Sequence, residues 1–124
     1  MSDAKKSLYV RLGGYEAISA VASDLLPRLQ ADPQLGRFWA HRGIDGVQRE
    51  KQLLIDFLCE STGGPMYYRG RGMALCHRGM RISESDWNIF LGHAAATLAK
   101  FQVPDLERRE VVALVQGLKK EIVE

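Results

Sequence analysis

The residues of this chain best suited to chemistry are its histidines, His41, His77 and His93, and their surroundings differ. His77 closes the run Gly63-Gly64-Pro65-x-x-Tyr68-x-Gly70-x-x-Met73-x-x-x-His77, in which one helix is halted, the chain turns and a short second helix presents the imidazole. Met73 precedes His77 by one helical turn, so thioether and ring share a face, and that face lies beside the aromatic stripe of the next helix. A flat apolar cofactor suits such a place, and His77 reads as one axial ligand of a haem iron. The spacing leaves the alternative of a satisfied core histidine open. His93, set among alanines, reads as a partly buried polar residue. His41, next to Arg42 and Gly43, reads as a solvated loop residue or as an iron ligand on the side opposite His77.

Other chemistries find less support. Covalent haem attachment uses Cys-x-x-Cys-His, and the stretch here is Met73-Ala74-Leu75-Cys76-His77, which lacks the first cysteine. Noncovalent haem b fits better; Cys76, about a hundred degrees around the helix from His77, leaves a single thioether as the lesser alternative. Cys59 and Cys76 show no paired spacing and read as free thiols. Nucleophile-elbow, phosphate-loop, zinc-protease and dinucleotide-binding patterns are absent. The acidic pairs Glu84/Asp86 and Asp105/Glu107 fall at helix starts, where capping and the macrodipole explain them. Arg69, Arg71, Arg78 and Arg81 flank the His77 segment as a solvated rim or as carboxylate clamps.

The elements that must position these residues are helical throughout. Ile18, Val21, Ala22, Leu25, Leu26 and Leu29 recur at spacings of three and four, ended by Ala31-Asp32-Pro33, with a kink or an earlier boundary expected at Pro27. A short turn carries Leu35, Phe38 and Trp39, and 41–46 reads as loop. The spacing predicts a third helix over 47–61, apolar on more than one face through Leu53, Leu54, Ile55, Phe57 and Leu58, and therefore largely enclosed. After the loop 66–71 a brief helix holds Met73 and His77, with Gly79 at its end. Ser83 and Asp86 form a capping box for a helix whose Trp87, Phe90, Leu91, Ala94, Leu98 and Phe101 make one stripe. Pro104 opens the last helix, with Val111, Leu114, Val115, Leu118 and Ile122 facing inward.

At 124 residues the chain suits one domain, 1–124, with a single core. Its 46% hydrophobic and 26% charged residues are ordinary for a folded soluble protein. A net charge of +2 without a basic stripe argues against a nucleic-acid partner. No apolar run is long enough for a membrane span, and the start Met1-Ser2-Asp3-Ala4-Lys5-Lys6 lacks a secretory apolar stretch, so a cytoplasmic location is expected.

Three motifs together, Leu8-Tyr9-x-x-Leu12-Gly13-Gly14, Asp32-Pro33-x-Leu35-x-x-Phe38-Trp39 and the run from Gly63 to His77, resemble the truncated haemoglobin family in its first group, over nearly the whole chain. The resemblance implies an all-α two-over-two helical sandwich around haem b, with glycine motifs ending the second and distal helices. By the same comparison His77 is the proximal ligand. Met73 and Tyr68 pack near the porphyrin, Phe38 and Trp39 form an aromatic corner against it, and Leu53, Leu54, Phe57, Arg71, Ile82, Trp87 and Phe90 complete its surroundings. Leu25, Leu26, Gln52, Leu54 and Leu58 form the distal pocket, and propionate partners are sought among Arg42, Arg49 and Arg71. An apolar wall of this kind slows iron oxidation and favours neutral diatomic ligands.

Two departures bear on function. Members of the group typically carry Phe-Tyr where this chain has Leu25-Leu26, and Leu26 has no hydroxyl to offer a gas ligand. A distal glutamine is often found where counting back from Gly63 places Leu54; the longer loop after Trp39 leaves Gln52 or Glu50 as substitutes. The implied function is reversible binding of oxygen, nitric oxide or carbon monoxide by a monomer or weak dimer. Nitric oxide dioxygenation with an electron-donating reductase, a peroxidase-like haem protein with an internal sixth ligand such as His41, and a cofactor-free helical interaction domain are the alternatives.

Overall fold

The computed structural model describes residues 6–40, 43–65, 72–73 and 77–124. Helix α1 (Leu8–Leu12) starts where the Ser7 hydroxyl accepts the Val10 amide at 3.2 Å, and it ends at Gly13, whose φ of 112° is a left-handed backbone that glycine adopts without strain. Gly13 therefore closes the first helix, not the second as the family comparison suggested. Helix α2 (Gly14–Ala31) buries Ile18, Ala22, Leu25, Leu26 and Leu29, the face its periodicity marks out. No boundary falls at Pro27: that residue stands exposed, and the leucines buried on either side of it hold the helix together through to Ala31.

After a 3-10 turn (Leu35–Trp39), α3 (Ile44–Ser61) begins at Ile44 rather than at Val47, so the loop ahead of it is shorter than the sequence suggested. It is also less enclosed. Only Ile55 and Cys59, one turn apart on the face toward α2, are buried, while Leu53, Leu54, Phe57 and Leu58 are half-buried and Ile44 is 78% exposed. Helix α4 (Glu84–Lys100) carries the expected capping box, with the Asp86 amide donating to Ser83 Oγ at 3.1 Å and the Ser83 amide to Asp86 Oδ2 at 2.9 Å. The expected last helix is two pieces, α5 (Asp105–Gln116) and α6 (Lys119–Ile122), interrupted at Gly117 and Leu118; Pro104 is the cap of α5 rather than its first helical residue.

Two apolar clusters organise the packing. Ile18, Ala22, Ile55 and Cys59 join α2 to α3, with Tyr9, Leu54 and Leu58 packed against them. Leu25, Leu26, Leu29 and Leu35 form the second, covered by Phe38, Trp39, Leu54, Ile89, Phe90 and Ala94 from the turn, α3 and α4. Tyr9 crosses onto the end of α3, where its amide donates to the Thr62 carbonyl at 2.8 Å and its ring lies against Gly64. A Cβ on Gly64 would meet that ring at 2.5 Å and the Cys59 carbonyl at 2.9 Å, so glycine is required by close approach. Arg11 then ties α1 to α5 through a bidentate pair with Glu110, and Glu107 lies 3.5 Å away. Among the described residues every buried side-chain polar atom has a hydrogen-bond partner.

Candidate functional site

The second cluster brings together several of the residues singled out by sequence. Leu25 and Leu26 rise from α2 side by side, 7% and 5% exposed, and Phe38, Trp39, Leu54 and Phe90 close on them from three other elements. The Phe38 and Trp39 rings stand edge to face with centroids 6.4 Å apart. Ile89 and Ala94 of α4 pack on the same cluster. Ile89 escaped the sequence reading because it lies outside the stripe that Trp87, Ala94 and Leu98 define.

The polar edge of this wall comes from α3. Glu50, one turn before Leu54, accepts the Trp39 indole N–H at 3.2 Å. Of the two substitutes for a distal glutamine, Glu50 therefore reaches the aromatic corner. Gln52 does not: it is exposed, and its amide donates to the Tyr15 hydroxyl at 3.1 Å and to Asp56 Oδ1 at 3.0 Å. Leu58 packs on the other cluster and lines an apolar cavity of about 190 Å³ with Ile18, Val21 and Leu98. Trp87 is buried, but its indole N–H donates to Gln116 Oε1 at 3.3 Å, which turns its polar edge toward α5. Leu53, Phe57, Met73 and Ile82 are half-buried, and Arg49 is exposed. Tyr68, Arg71, His41, Arg42 and Cys76 lie outside the described residues.

His77 is half-buried, and its Nδ1 lies 2.8 Å from the carbonyl oxygen of Met73, one turn back. A carbonyl only accepts, so Nδ1 is the donor in this contact. Such a bond from the far ring nitrogen is what fixes the tautomer and orientation of a metal-ligating histidine. Gly79, at φ 83°, turns the chain after His77, and the Met80 amide donates back to the His77 carbonyl at 3.2 Å. An imidazole held through one ring nitrogen and, on other elements, a wall of leucines and aromatic rings are the kinds of group a haem site uses, in which one nitrogen holds iron and apolar side chains hold the ring.

Four other titratable groups among the described residues, His93, Asp32, Asp86 and Cys59, have structural surroundings. His93 Nε2 lies 2.8 Å from Asp32 Oδ2, so the expectation of a partly buried polar residue holds. Asp86, read from sequence as a cap, does more: it is 1% exposed and also takes Arg37 Nη2 at 2.7 Å. The Arg37 guanidinium holds the Asp86 carboxyl far below the usual carboxylate range, and the His93 bond lowers that of Asp32. Burial pushes the Cys59 thiol up, which leaves it unreactive.

The chain is similar over most of its length to several known proteins. The family described as bacterial-like globin matches residues 7–124. A group 1 truncated hemoglobin GlbN of Mycolicibacterium paratuberculosis is 31% identical over 116 residues, covering 94% of this chain and 83% of the relative. A group 1 truncated hemoglobin of Tetrahymena pyriformis is 25% identical over 118 residues, covering 95% of each chain. The crystal structure of truncated hemoglobin from Tetrahymena pyriformis in its Fe(III) form superposes with a TM-score of 0.86 at 25% identity, over 95% of this chain and 98% of that one.

Proposed function

Because the chain belongs to the group I truncated haemoglobins, with their two-over-two globin fold and general function of haem-based gas binding, we propose that it holds haem b noncovalently through His77 and reversibly binds neutral diatomic ligands. The observation that carries this reading is the 2.8 Å contact between His77 Nδ1 and the Met73 carbonyl, which orients the imidazole in the way a metal-ligating histidine is oriented. When bound, haem would supply the iron that takes such a gas. The chain's own residues do the rest. The Met73 carbonyl orients the imidazole. Leu25, Leu26 and Leu54 present hydrocarbon and exclude water, which disfavours charged ligands. Phe38 and Trp39 offer an edge-to-face pair to the ring, and Glu50 fixes the indole by accepting its N–H.

The test is reconstitution with hemin, followed by absorption spectra of the ferric, ferrous and carbonyl forms. A stoichiometric complex with a Soret band is expected. Acidified butanone should extract all of the colour if no thioether has formed, and residual colour on the protein would overturn the noncovalent part. His77→Ala is expected to lose the complex or hold hemin weakly, while circular dichroism reports retained helix. A variant that keeps the parent's ferrous spectrum would remove His77 from the ligand role.

A further inference from the structure

The turn that carries Phe38 and Trp39 is fastened to α4 at two points, and the start of α4 terminates the stretch that follows His77. At the first point the Asp86 carboxylate receives Arg37 Nη2 at 2.7 Å, Arg37 Nη1 at 3.2 Å, Gln34 Nε2 at 2.6 Å and the Ser83 amide at 2.9 Å. About two helical turns further along α4, His93 Nε2 meets Asp32 Oδ2 at 2.8 Å, while Asp32 Oδ1 accepts the Gln34 and Leu35 amides. Between the two fastenings Ile89 and Phe90 pack on the leucine cluster, and the Arg37 guanidinium stands 4.2 Å over the Phe38 ring.

Capping α4 needs only the exchange between Ser83 and Asp86. The fork from Arg37 and the amide of Gln34 exceed that need, and a carboxylate this well buried is tolerated only when its partners are placed with good geometry. Such a group contributes a fixed separation more than it contributes stability. We infer that Asp86, acting through Arg37, is a positioning residue for the haem site: it sets the distance between the Phe38–Trp39 corner and the helix that follows the His77 segment. The inference rests on the haem reading above.

Hemin release from the reconstituted protein to an excess of a scavenging apo-globin tests it, read with the Soret position. The Arg37 side chain is 49% exposed, so Arg37→Gln should fold and leave the Ser83–Asp86 cap intact. It is expected to release hemin about tenfold faster and to shift the Soret band, because the buried Asp86 carboxylate loses the guanidinium that ties it to the turn. Arg37→Lys, which keeps the charge but not the fork, should fall between. Ser83→Ala, which weakens the cap alone, should lower the thermal midpoint and leave release within about twofold of the parent. The double variant Arg37→Gln with Asp86→Asn should be no faster than the faster single, because both act on one link. Unchanged release in Arg37→Gln, or equal acceleration by Ser83→Ala, overturns the positioning role while the haem reading stands. Failure of the parent chain to form any stoichiometric hemin complex overturns both.

Discussion

At the scale of single residues, the proposed gas binding turns on what Leu26 lacks. A hydroxyl there would sit in the leucine cluster beside Leu54 and could donate to a bound gas; leucine leaves that side to hydrocarbon. A neutral hydrogen bond is worth about 0.5–1.5 kcal/mol net, or up to about tenfold in a dissociation rate. Leu26→Tyr is therefore expected to slow oxygen dissociation several-fold in stopped-flow measurements. Unchanged kinetics in a folded variant would show that position 26 does not face the ligand. Glu50 is the one carboxylate among the described residues seen to hydrogen-bond this aromatic corner; the sequence offers it only as one of two substitutes for a distal glutamine, because the loop length leaves the register of α3 open, and carries no sign of its bond to Trp39.

At the scale of elements, the seat of α1 on the end of α3 depends on a missing side chain. A Cβ on Gly64 must displace the Tyr9 ring or the Cys59 carbonyl, so Gly64→Ala should destabilise by about 1–3 kcal/mol in urea unfolding, with hemin stoichiometry retained. An unaltered midpoint would mean that Tyr9 moves aside freely. Helix cores were readable because Ile18 to Leu29 and Trp87 to Leu98 repeat at the helical period, and the Ser83 box is a local signature. The first turn of α3 was not: Gly43 and Gly46 resemble loop, and only the helix's own hydrogen bonds, such as the Val47 amide to the Gly43 carbonyl at 3.1 Å, decide otherwise. Gly117 interrupts the last helix with an ordinary φ of −64°, which leaves no residue-level mark. The links from Arg37 to Asp86 and from Asp32 to His93 span 49 and 61 residues, beyond any periodicity.

At the scale of the whole molecule, carboxylates decide the response to acid. Asp24 is held low by Lys100, Arg28 and Thr97, Asp86 by Arg37 and Gln34, Asp32 by His93, and Glu110 by Arg11. In the unfolded chain these groups take up protons near their ordinary values of about 4, before the native state does. The stability they confer is present above that range and is lost as pH falls through the lower folded-state values. The thermal midpoint should therefore hold between pH 7 and 5 and drop steeply toward pH 3, less steeply in Arg37→Gln; a flat profile would contradict the pairing. The half-buried character of α3 carries a further consequence. With Ile44 standing in solvent and only Ile55 and Cys59 anchored, amide exchange in hemin-free protein should be faster along the first turns of α3 than along its last turns or through the middle of α2 and α4. Under the haem reading proposed above, docking of a porphyrin amounts to a less anchored flank settling against a better anchored one, and the tightening should register as slowed exchange on that flank.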